Sequence, residues 1–65
     1  MKVDISYDKG ADILDVYWGE KTEYSEECET QEGHQFVVDY DKKGRIVGIE
    51  IFDWNKGNKT NGGTA

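Results

Sequence analysis

Sixty-five residues, with 14 Asp and Glu against 8 Lys and Arg and a single cysteine, describe an acidic chain of one domain with a formal charge of −6. A chain this short buries only roughly 60% of the surface it exposes when unfolded, so it needs support from disulfides, a structural metal or oligomerisation. Cys28 alone excludes an internal disulfide, no Cys/His cluster approaches a four-ligand zinc site, and the negative charge argues against direct binding to nucleic acid.

Val3, Ile5 and Tyr7 alternate with Lys2, Asp4 and Ser6, the period-two pattern of a half-buried strand. This opening is unlike the unbroken apolar core of a signal peptide. No apolar run reaches the roughly 18 residues of a membrane-spanning helix. A cytoplasmic location, where a lone thiol stays reduced, is therefore expected. Asp8-Lys9-Gly10-Ala11-Asp12 supplies turn chemistry. A second strand is predicted over 12–18, with Leu14, Val16 and Trp18 on one face and Ile13, Asp15 and Tyr17 on the other. Gly19 ends it.

From Glu20 to Glu32 the chain is Glu-rich, with Lys21 its only cation. Tyr24, Glu26, Cys28 and Thr30 can share one face of a third strand, which so polar a composition would place at a sheet edge. Helix and loop compete, since Glu favours helix over strand. The absence of apolar residues at helical spacing favours the strand. Gln35 to Asp53 reads as a β-hairpin, Phe36-Val37-Val38-Asp39-Tyr40 returning through Asp41-Lys42-Lys43-Gly44 into 45–52. The expected register sets Tyr40 against Arg45, Val38 against Val47 and Phe36 against Ile49. Residues 1–54 are thus expected to form a single β-sheet domain and 55–65, with almost nothing to bury, a flexible tail.

The fold class that follows is all-β: one antiparallel β-meander sheet of four to five strands ending in the hairpin. One face collects Val3, Ile5, Tyr7, Leu14, Val16, Trp18, Phe36, Val38, Val47, Ile49 and Ile51. Ile13, Tyr17, Val37, Ile46 and Phe52 fall on the other. Nothing in so short a chain forms a second layer over the first set. A second copy or a foreign partner is expected to supply it.

The segments Ile5-Ser6-Tyr7-Asp8 with Ala11-Asp12, Val37-Val38-Asp39-Tyr40-Asp41, and Gly44-Arg45-Ile46-Val47-Gly48-Ile49-Glu50-Ile51 with Asp53 carry a family resemblance. The sequence resembles the short bacterial and archaeal proteins grouped as domain of unknown function 2283. That resemblance implies a compact β-meander without assigned enzymatic activity or catalytic residues. For members encoded beside small toxins, it implies an antitoxin role. The Glu-rich middle and the Gly/Asn/Lys/Thr tail depart from the family pattern.

Asp39, Asp41, Gly44 and Glu50 match positions of a calcium-binding EF-hand loop, but Lys43 stands where an oxygen ligand is needed and the flanks alternate as strands. The hairpin explains the same residues. Cys28 and His34 lack any sign of the orienting third group a nucleophile requires. No catalytic residue, metal ligand or cofactor is therefore expected. The leading expectation is a small acidic binding protein, antitoxin-like or inhibitor-like, that neutralises a basic protein such as a nuclease or toxin. Glu23, Glu26, Glu27 and Glu29 would steer the encounter, while Ile13, Tyr17 and Phe52 would hold the complex. The alternative is a homodimeric structural or accessory module without a toxin target, and a small-molecule or metal sensor ranks third. In isolation the chain is expected to be a homodimer.

Overall fold

A computed structural model describes residues 2–56. Five strands form one antiparallel sheet: β1 (Asp4–Asp8), β2 (Ile13–Tyr17), β3 (Tyr24–Glu29), β4 (Gln35–Tyr40) and β5 (Ile46–Phe52). The Glu-rich segment is a strand, and its place at the end of the order β1-β2-β5-β4-β3 makes it an edge. Sequential order is broken once, because the chain passes from β2 to the far edge before returning through β4 to set β5 against β2. The central strand β5 carries Ile46, Val47, Ile49, Ile51 and Phe52 and pairs with β2 on one side and β4 on the other.

The connections follow from side chains that bind their own backbone. Asp8 Oδ1 accepts the Ala11 N–H at 3.1 Å in the first turn. Thr30 Oγ1 accepts the His34 N–H at 3.1 Å in the β3–β4 turn, where Gly33 takes a φ of 90°. In the hairpin, Asp41 Oδ1 accepts the N–H groups of Lys43 and Arg45, each at 2.9 Å, and Asp41 Oδ2 accepts Arg45 Nε at 2.9 Å. These bonds hold Asp41's carboxyl below its ordinary value, the Arg45 N–H contributing most. The same contacts occupy the aspartate that a calcium loop would need.

The hairpin register differs from the expected one. Asp41 N–H bonds to the Arg45 carbonyl at 2.9 Å, which lengthens the loop by one residue. Between the pairs Tyr40↔Ile46 and Asp39↔Gly48, Val47 is an extra residue, a bulge. Together they set Val38 against Ile49 and Phe36 against Ile51, two positions from the expectation. A shift of two preserves the faces, so the apolar set stays together except for Val47, which is the bulge residue, and Val3 and Trp18, which lie outside the strands. The bulge also registers Ile46 opposite Tyr40, on the apolar side rather than the opposite one. Val47, buried at 6% exposure, is held from outside: its carbonyl accepts the N–H groups of Trp18 at 2.9 Å and Gly19 at 3.1 Å.

Most of the expected tail lies outside the described residues. Asn55 and Lys56 are described, and with Trp54 they form a single helical turn. Their N–H groups donate to Asp12 Oδ1 at 2.9 Å and Asp12 Oδ2 at 3.1 Å. Buried apolar side chains are few: Val37, Val38 and Val47.

Candidate functional site

None of the five strands contains Lys or Arg. Neighbours across strands share a face, so the register sorts the strand residues into two sets. Ile5, Tyr7, Leu14, Val16, Tyr24, Glu26, Cys28, Phe36, Val38, Tyr40, Ile46, Ile49 and Ile51 form an apolar face with one charge, Glu26. That charge accepts the Tyr40 hydroxyl at 3.2 Å, and the Tyr40 ring stacks on Tyr24 with centroids 4.9 Å apart. The opposite face carries seven carboxylates: Asp4, Asp8, Asp15, Glu27, Glu29, Asp39 and Glu50.

Three of those carboxylates converge at the centre of the acidic face. The register runs Asp15↔Glu50↔Val37↔Glu27 along one rung and Tyr17↔Gly48↔Asp39↔Ser25 along the next. Gly48 has no side chain, and the Tyr17 ring lies in the space this leaves: a Cβ on Gly48 would stand 2.3 Å from Tyr17 Cδ1. Tyr17 then reaches Glu50, donating its hydroxyl to Oε2 at 3.4 Å. Beyond Gly48, Asp39 is fully buried. Its Oδ1 accepts the Ser25 hydroxyl at 2.5 Å, and its Oδ2 has no donor among the described residues.

Burial first, and then hydrogen bonding and repulsion from Asp39, push the Glu50 carboxyl above its ordinary value. Asp15 is raised in the same direction, by burial and then by Asp39 and Asp8. Burial, followed by the Asp39 hydrogen bond, drives Tyr17 well above the usual tyrosine value, so its hydroxyl stays a donor.

The expected partner-binding residues are divided. Glu27 and Glu29 lie on the acidic face with Tyr17, and Ile13 and Phe52 pair directly there. Glu26 points to the apolar face, because consecutive strand residues alternate. Glu23 precedes β3, its N–H bonded to the Tyr40 carbonyl at 2.7 Å. Asp15, Asp39 and Glu50 were not among the expected site residues. Their parity within the strands was the available signal, since each lies between apolar residues of the other face. Cys28 makes a long Sγ–H contact to the Glu26 carbonyl at 3.7 Å, while His34 lies in the β3–β4 turn. Among the described residues, no three His, Cys, Asp or Glu side chains are arranged to hold a metal ion. Among the same residues, no helix is long and apolar enough to cross a membrane.

A family model described as protein of unknown function (DUF2283) matches residues 4–54, the stretch that contains all five strands. The chain belongs to the DUF2283 family. No curated protein and no solved structure matches it. The matched stretch of this DUF2283 protein includes both halves of the central cluster, Asp15 and Tyr17 on one side, Asp39 and Glu50 on the other.

Proposed function

We propose that this DUF2283 protein is a small acidic binding protein of the cytoplasm, antitoxin-like or inhibitor-like, that neutralises a basic protein partner such as a nuclease or toxin. The carrying observation is the segregation of seven strand carboxylates onto one sheet face, four of them (Asp4, Asp8, Glu27 and Glu29) exposed, with no Lys or Arg in any strand to offset them. A surface of one sign attracts a basic partner over a distance and accelerates encounter. The half-buried Ile13–Phe52 pair offers an apolar contact at one end of that face. The role is binding rather than catalysis. A second reading, a homodimeric structural or accessory module without a toxin target, draws on the apolar face instead.

The test compares adjacent residues on opposite faces. A partner is captured from the native cell, and its association is measured at several ionic strengths. Glu27→Gln with Glu29→Gln should slow association and flatten its salt dependence, while Glu26→Gln should leave both nearly unchanged. Truncating Ile13 or Phe52 should raise the dissociation rate. Equal association rates for wild type and the Glu27/Glu29 variant at low salt would remove the acidic face from the recognition surface.

A further inference from the structure

We propose that a second copy of this chain covers the apolar face, sheet against sheet, making a two-layer homodimer whose acidic faces both point outwards. This does not rest on the reading of the acidic face as a docking surface, and its failure would leave that reading standing.

The first part of the argument is that something must cover the face. All five strands lie in one sheet, and the described residues contribute no second layer. Ile5 is 67% exposed and Tyr7 42% exposed in the single chain, while Leu14, Val16, Phe36, Ile49 and Ile51 are only half-buried. A face this apolar left in water forfeits roughly 25 cal/mol for every Å² not buried. Three buried valines are a small core to set against the ordering of five strands.

Charge placement then selects the occupant and its orientation. The chain carries −6 overall, so two copies repel wherever their carboxylates meet. Joining two sheets edge to edge through β1 or β3 would align Asp4 and Asp8, or Glu26, Glu27 and Glu29, against carboxylates of the second copy. Opposing the acidic faces would be worse. Stacking the apolar faces leaves Glu26 as the only strand charge in the contact, already bonded to Tyr40, and keeps the exposed Asp4, Asp8, Glu27 and Glu29 on the outer side. Packed sheets stand about 10 Å apart, which keeps the two acidic layers well separated.

The area is that of a small interface. Five strands at about 4.8 Å spacing and five residues at about 3.4 Å rise make a face of roughly 400 Å² in projection. Two such faces bury at least about 800 Å², and side-chain relief raises this towards the roughly 1,200 Å² at which specific interfaces begin.

The experiment uses the whole chain. Sedimentation equilibrium at micromolar concentration should give a dimer, and the melting temperature should rise with protein concentration. Ile5 and Ser6 are adjacent on an edge strand and face opposite sides. Ile5→Glu places an unpaired carboxylate in the interface of both copies and should weaken the dimer by roughly a hundredfold or more. Ser6→Glu should leave it unchanged. A dimer that survives Ile5→Glu and dissociates with Ser6→Glu would overturn the assignment of the face. If Ile5→Glu does not fold, the wild-type melting series decides. A monomer with a concentration-independent melting temperature would overturn the proposal outright.

Discussion

The aromatic ring of Tyr17 lies across the backbone of Gly48, so close that a β-carbon on Gly48 would stand 2.3 Å from Cδ1 and 2.5 Å from Cε1 of the ring. The missing side chain on the central strand is what lets a tyrosine from β2 reach towards Asp39 on β4. Gly48→Ala should therefore destabilise the fold by about 1–3 kcal/mol, the usual range for overpacking. The opposed atoms belong to an aromatic ring, which cannot yield by flexing a terminal methyl. Adding Tyr17→Ala should make the pair of changes less costly than the sum of the singles, with a coupling of about 0.5–3 kcal/mol. Urea unfolding of the two single variants and the double variant checks this, and strict additivity would show that the two residues do not interact.

Asp12 ties the β1–β2 turn to the end of β5. It adopts a φ of 57°, accepts the Tyr7 hydroxyl at 2.5 Å, and accepts the N–H groups of Asn55 and Lys56. The Tyr7 hydrogen bond, and then the Asn55 N–H, hold its carboxyl below the ordinary aspartate value. Asp12→Ala should speed amide exchange at Asn55 and Lys56, because both acceptors are lost and alanine is strained at positive φ. Asp12→Asn should fall between wild type and Asp12→Ala, since asparagine tolerates that backbone and keeps one acceptor oxygen. Exchange rates followed by NMR provide the measurement.

Stability should pass through a maximum on the acid side of neutrality. Glu50 and Asp15 have raised pKa values in the folded state, so folding takes up protons between their ordinary values, 4.5 and 3.8, and the raised ones. In that window stability falls as pH rises, and acidification from pH 7 relieves the cost. Asp12 and Asp41 have lowered values, so their contribution is present above 3.8 and lost as pH falls through their folded values. The two opposed slopes place the maximum below neutrality, between the lowered values of Asp12 and Asp41 and the raised values of Asp15 and Glu50. Glu50→Gln should raise the urea midpoint at pH 7 and flatten the rise in stability on acidification from neutrality. Protein concentration must be held constant, because association would shift the midpoint as well.

Local alternation is enough to divide this chain into strands and faces. Ile5, Leu14, Val16, Phe36, Ile49 and Ile51 sort to one side by odd–even position, and that sorting survives a hairpin register displaced by two because the strand period is two. The polar composition of 24–29 likewise reads as an edge strand, since only an edge tolerates so many carboxylates beside a sheet. Alternation cannot say which strand lies beside which. Placing β5 between β2 and β4 required a contact between distant parts of the chain, and only that contact brings Asp15, Glu50 and Asp39 together on adjacent rungs. The full burial of Asp39, the passage of Tyr17 over Gly48 and the capping of Asn55 and Lys56 by Asp12 all depend on it. Their interactions span the sheet, and no residue's immediate neighbours in sequence carry that information.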